Sequence, residues 1–297
     1  MAEQILKVFS KDLQKNLFPA NEFYKQSKLD SANGGSVEVP QSGSKPAVTM
    51  NASVPLTPSN RVDDVLTYPV HKFNTDPIYV EDANEAVINY SKRMDIMGDH
   101  IASLNTTIAE YIATSWCPAD GSSSLKTTGA SRPSSVAGGG AKKAVTYEDI
   151  LALMTQMDAD DVPADGRFLL ASANMYADLL KLPEFISTDF QKGTPIVDGV
   201  VGEILGFKVY KRSKSVRYDN TFNVIASGTA SATTDRDAII AWHKGFVRRS
   251  EGNAKTYGRF DDPEYLGSIV NGMVRAGGSK GRTNGEGVAV LIQDTHA

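Results

Sequence analysis

Hydrophobic and polar positions divide the chain into stretches of different character. From Ala2 to Phe18, Ile5, Leu6, Phe9, Leu13 and Leu17 recur three and four positions apart, which predicts a short amphipathic helix. The breaker SANGG (Ser31–Gly35) ends that stretch. Between Ser36 and Pro77 the fragments SVEV, AVTM and VLTYPV read as strands, interrupted by Pro40, Pro46, Pro55, Pro58 and Pro69. Proline donates no backbone hydrogen bond, so strands that carry it lie at sheet edges. These residues predict an extended two-stranded arm without a core of its own.

The strongest periodicity follows. Asp82 or Asn84 can cap a helix running to about Ser115, with Val87, Tyr90, Met94, Met97, Ile101, Leu104, Ile108 and Tyr111 on one narrow stripe. At 1.5 Å per residue that helix is roughly 50 Å long. Such a length makes it a spine for an elongated subunit. A coiled coil is the rival reading, but no second helix of this length follows.

The remainder alternates between short helices and strands. Cys117–Lys143 is rich in Gly, Ser and polar residues and reads as a loop. Thr146 and Asp149 form a capping box for a helix whose buried face is Tyr147, Ile150, Leu151, Met154 and Met157. FLLAS (Phe168–Ser172) reads as a buried strand and Asn174–Leu182 as a helix ending before Pro183. GVVGEILGFKVYKR gives two strands around Gly206, and AIIAWHKGFVRR, LGSIVNGMVRA and GVAVLIQD supply more. The fold class is α+β.

Composition sharpens this by exclusion. The 297 residues are 41% hydrophobic and 22% charged, which is globular, and the formal charge of −4 does not suit a dedicated nucleic-acid binder. A single cysteine, Cys117, leaves no disulfide framework and reads as a packing residue at a helix end. No apolar run is long enough to span a membrane.

Catalytic and cofactor motifs fail one by one. Gly199, Gly202 and Gly206 have the wrong spacing for a dinucleotide fingerprint and read as turns. In GGSKGRTNGEG (Gly277–Gly287) Lys280 precedes Gly281 and no helix follows, so it is a flexible basic hairpin tip and not a phosphate loop. MDADDVPADG lacks the glycine and glutamate of a calcium loop and reads as a solvated helix exit. His71, His100, His243 and His296 have no metal-binding neighbours. His100 is placed on the polar flank of the spine helix and His243 at a sheet surface. No cofactor, metal or catalytic group is therefore expected. An apolar stripe, an edge-stranded arm and a spine offer instead surface that one subunit cannot bury alone.

The order of these parts resembles the major capsid proteins of tailed bacteriophages, with the Hong Kong 97-like fold. The segments that carry the resemblance are FNTDPIYVEDANEAVINYSKRMDIMGDHIASL, VTYEDILALMTQMDADDVPADGRFLLASANMYADLLKLPEF and GEILGFKVYKRSKSV. Within them stand Val162, Pro163, Gly166 and Arg167, then Gly206, Phe207, Val209 and Tyr210. The resemblance implies an N-terminal arm over 1–33 and an extended β-hairpin E-loop over 34–75. It implies a P domain over 76–166 with the spine helix at 82–115. An A domain over 167–256 and P-domain return strands over 257–297 follow.

The resemblance also implies partners and location. The subunit would form hexameric and pentameric capsomers and meet portal, scaffolding and decoration proteins. It would enclose double-stranded DNA without sequence readout, touch no membrane, and reside in the virion after assembly in the host cytoplasm. Ile5, Phe9, Leu13 and Leu17 of the arm and Val37, Val39, Val48 and Val54 of the E-loop are the expected inter-subunit contacts. Lys280 and Arg282 would meet an acidic group of a neighbouring capsomer. Some members crosslink through an E-loop lysine, a role for which Lys45 is the one candidate in mid-loop. The competing readings are an encapsulin-like compartment shell, and an enzyme or carbohydrate-binding module with a β arm.

Overall fold

The computed structural model describes residues 22–31, 35–41, 43, 48, 50–51, 63–81, 91–182, 200–262 and 267–295. Two sheets organise them. The first has the order β10 (Val200–Ile204), β11 (Phe207–Arg212), β9 (Arg167–Ser172), β13 (Arg236–His243), β17 (Val288–Ile292), β6 (Leu125–Lys126), with β12 (Arg217–Tyr218) on β13. Every residue of β9 and β13 is buried. A sheet covered on both faces needs apolar residues at successive positions, and FLLA and AIIAW supply them.

One face of that sheet carries α2 (Tyr147–Ala159) and α3 (Ala173–Leu179). Ile150, Leu153, Met157 and Leu179 pack there with Leu169, Ile239, Ala241 and Leu291. The other face meets α1 (Ser91–Trp116): Phe168, Leu170, Ile240, Trp242 and Ile292 share a core with Leu104, Ile108, Ile112 and Trp116. The stripe along α1 thus has the predicted spacing where side chains are described. Val87, Tyr90, Met94 and Met97 lie outside those residues.

The second sheet runs β1 (Lys28–Asp30), β14 (Val247–Glu251), β16 (Gly267–Lys280), β15 (Lys255–Asp262), with β4 (His71–Asn74) and β5 (Ile78–Glu81) on β16. It lies under α1, and the contact is close at Gly278, where an added Cβ would overlap Ser115 Oγ. Glycine at 278 therefore lets helix and strand approach, which is a packing role. Beyond this sheet stands the two-stranded ribbon β2 (Ser36–Gln41) and β3 (Asp64–Pro69), the expected hairpin.

The capping box is as read. Thr146 Oγ1 accepts from Asp149 N, and Asp149 Oδ2 accepts from Thr146 N at 2.9 Å. Asp149 also accepts from Thr128 Oγ1 at 2.8 Å, so the cap ties the preceding segment to the helix. Other elements differ from the reading. Cys117–Lys143 is not all loop: it holds β6 and the small hairpin β7 (Ser131–Pro133) and β8 (Ala141–Lys143). These runs are too short to show a period. On α2, Leu153 is buried and Leu151 is exposed, the reverse of expectation. Leu153→Ala should cost about 2–5 kcal/mol of unfolding free energy. Leu151→Ala should stay within about 0.5 kcal/mol. Denaturant titration of both variants checks the helix orientation, and equal losses would contradict it.

Sheet membership also cuts across the segments implied by the resemblance. β14, within 167–256, belongs to the second sheet, and β17, within 257–297, to the first. Among the described residues the chain passes from one sheet to the other through α1, again at 244–246 and again at 281–287.

Candidate assembly surface

The ribbon is held at its base by its own chain. Val37 and Val39, on alternate positions of β2, are buried against Tyr68 and Val70, with Leu66 packed beside them. Tyr68 Oη donates to Asp30 Oδ2 at 2.9 Å, and Arg248 donates to the other Asp30 oxygen at 2.8 Å. Asp30 thus ties the ribbon to β14. Burial, and the hydrogen bond to that carboxylate, push the Tyr68 phenol well above its usual range, so it stays a donor. This corrects the expectation that the arm has no intramolecular core. A small core of the subunit itself covers Val37 and Val39. Further along, Val48 is 97% exposed and Met50 87% exposed. Val54, Lys45, Ile5, Phe9, Leu13 and Leu17 lie outside the described residues.

The basic tip is also different from its reading. Gly277, Gly278 and Lys280 are strand residues: β16 continues to Lys280, which pairs with Val247. Only 281–287 forms the turn. Arg282 is exposed and forms an ion pair with Glu286 of the same turn, and its guanidinium stands 5.0 Å from the centre of the Phe246 ring. An acidic partner is thus already present four residues on. Gln41 Nε2 donates to the Gly281 carbonyl at 2.9 Å, so the ribbon base leans on this turn. The ribbon base, the turn, Lys28 and the Asp160–Asp161 helix exit enclose an open polar cleft of about 900 Å³. Nothing in the sequence singled out Gln41 or Phe246. Their roles arise from the crossing of two segments far apart in the chain.

His243 and His100 are not where the sequence put them. His243 is buried; its Nδ1 accepts from Gly245 N at 3.1 Å, so Nε2 carries the proton and donates to the Asp165 carbonyl at 2.9 Å. His100 is buried as well. Cys117 is buried beside Tyr218, and burial pushes its thiol up to about 12, which makes it an inert packing residue. Among the described residues no group of His, Cys, Asp or Glu could hold a metal ion, and no helix is long and apolar enough to cross a membrane.

This geometry, with two sheets, a long helix over them and a projecting ribbon, is that of a shell subunit. A family model described as phage capsid protein matches residues 31–292. The chain belongs to that family and is a major capsid protein, a structural component of a bacteriophage virion capsid. Its fold is Hong Kong 97-like and is similar to several solved capsids. The capsid of the cyanophage P-SCSP1u superposes with a TM-score of 0.63 at 18% identity, covering 91% of this chain and 87% of that one. The capsid of Ralstonia phage GP4 gives 0.60 at 11% identity, covering 91% and 86%. The capsid of a native GTA particle gives 0.60 at 10% identity, covering 93% and 90%. No curated protein sequence matches the chain.

Proposed function

We propose that copies of this chain join as pentamers and hexamers into an icosahedral head that encloses double-stranded DNA. Assembly takes place in the host cytoplasm, with portal, scaffolding and decoration proteins as partners. In this reading 1–33 is the N-terminal arm, 34–75 the E-loop, and the first and second sheets are the cores of the A and P domains. The observation that carries it is the ribbon. Its base is fixed to the subunit by Asp30 and Gln41, while Val48 and Met50 stand in solvent. Apolar side chains held out in this way are covered when an adjacent subunit meets them.

The test separates folding from joining. Replacing residues 43–62 by Asn-Gly should leave circular dichroism and the unfolding transition close to those of the parent, because Val37, Val39, Tyr68 and Val70 remain. Particle yield in electron micrographs should fall to background. Lys280→Glu combined with Arg282→Glu removes the Arg282–Glu286 pair and should weaken particles most at low salt, where screening is least. Normal particles from the shortened chain would overturn the ribbon's role. Enzyme cargo inside particles in place of DNA would favour the compartment shell.

A further inference from the structure

A groove of about 560 Å³ lies between Asp99–Thr107 of α1 and β4 with the first residue of β5. His100 of α1 lines it, is 5% exposed, and its Nε2 has no hydrogen-bond partner. Buried polar atoms are ordinarily paired, so an idle ring nitrogen needs a reason. Nearby hydroxyls do not supply one. Thr75 Oγ1 is engaged with Gly272, and Thr107 Oγ1 donates back to the Ser103 carbonyl at 3.0 Å.

We propose that His100 is an acid-sensitive latch between α1 and the β4–β5 strands, closed when the ring is neutral and released when it is protonated. A neutral imidazole tolerates one idle nitrogen as an unused acceptor or donor. An imidazolium has two N–H donors and a charge, and the buried Nε2 has no acceptor of the protein within hydrogen-bond reach. Among the described residues the charged groups facing the groove are Asp99 from α1, Lys72 from β4 and Asp76 from the β4–β5 connection. Burial lowers the proton affinity of His100, and Asp99 only partly offsets it. Turning the ring out to the groove mouth gives it water and the Asp99 carboxylate of its own helix, and leaves its buried seat against the strands empty. Protonation therefore favours the separated arrangement.

The sign follows from linkage. A base that binds protons less well in the closed state keeps the latch intact above the ordinary imidazole pKa of about 6.5. The latch is lost as pH falls through the lowered value. Loosening is confined to the first part of the helix, because Ile108, Ile112 and Trp116 remain buried in the aromatic core. The device lies within one subunit, so it stands or falls separately from the shell reading.

The test is amide hydrogen exchange on the full chain between pH 7.5 and pH 5, corrected for intrinsic rates, for the parent, His100→Gln and His100→Phe. In the parent, protection over 98–107 should fall by about tenfold for each pH unit by which the His100 midpoint lies below its ordinary value. Both variants should hold it level, and β13 should be unchanged in all three. Exchange of the imidazole C2 hydrogen in the parent should give His100 a midpoint below the ordinary imidazole value of about 6.5. That measurement stands even if both variants fold poorly. Equal acid loss in parent and variants, or a His100 midpoint at or above the ordinary value, would overturn the latch.

Discussion

Phe23→Ala is expected to destabilise the folded subunit by about 3–5 kcal/mol, the range for removing a buried aromatic side chain. Phe23 belongs to a single 3₁₀ turn (Phe23–Lys25) outside both sheets, yet it is 1% exposed. Its ring meets Tyr24, Trp116 and Trp242 edge-on at 5.6, 5.9 and 5.9 Å, and the Arg212 guanidinium covers it at 5.5 Å. The chain on either side is fixed by hydrogen bonds that the substitution leaves behind. Trp242 Nε1 donates to the Gln26 carbonyl at 2.9 Å, and Arg249 donates to the carbonyls of Tyr24, Lys25 and Ser27. The site is thus held open around the missing ring, so relaxation recovers little. A small domain has about 5–15 kcal/mol of total stability, so this loss is a large share. Urea titration of unassembled subunit, followed by fluorescence of the two flanking tryptophans, measures it. Leu29→Ser, on an exposed neighbour, is the control and should change little. A Phe23→Ala loss below about 1 kcal/mol, inside the scatter of ordinary substitutions, would remove the plug from the account.

Phe23 also marks where reading the sequence stops. Periodicity exposed the spine because eight apolar residues share a stripe, and Leu104 and Ile108 are indeed buried. The two all-buried strands were legible as unbroken apolar runs, and the capping box as a local spacing. NEFYK has no period: an isolated aromatic pair in a polar setting looks like part of an arm that waits for a partner. Its burial depends on Trp116 and Trp242, which lie some ninety and more than two hundred positions away in the numbering. The same holds for Leu153, whose side of α2 is chosen by β17 and β6 and not by the helix itself. The capsid class was legible through the order and spacing of the segments, and the family match bears it out. Which ribbon residues face outward was not, because alternation along β2 does not say which face has its own subunit beneath it.

The glycines of 281–287 show the same limit and carry the second large effect. Glycine-rich sequence suggested a flexible tip, but Gly281 and Gly287 both close on Phe246, where the crossings at 244–246 and 281–287 pass each other. An added Cβ at Gly281 would stand 2.5 Å from the Phe246 carbonyl oxygen, and at Gly287 it would overlap Phe246 Cβ and Cγ. Phe246 cannot step aside freely. Its ring packs edge-on against His243 at 5.3 Å under the Arg282 guanidinium, and His243 N donates to the Gly287 carbonyl at 3.0 Å. Gly287 also has φ +78°. Gly287→Ala should therefore cost about 1–2 kcal/mol for a left-handed backbone and a further ~1–3 kcal/mol for overpacking. Gly285→Ala separates the two parts. It shares φ +78°, but its added Cβ would meet only the far end of Lys280 at 3.9 Å, so it should lose the backbone part alone. Thermal unfolding of both variants reads the difference directly. If Gly285→Ala and Gly287→Ala lower the midpoint equally, Phe246 is not clamped and the junction of the two sheets is looser than its geometry indicates. If Gly287→Ala is the more damaging, its particles should also be scarcer than those of Gly285→Ala, because the displaced turn takes the Gln41 contact, and with it the ribbon base, out of place.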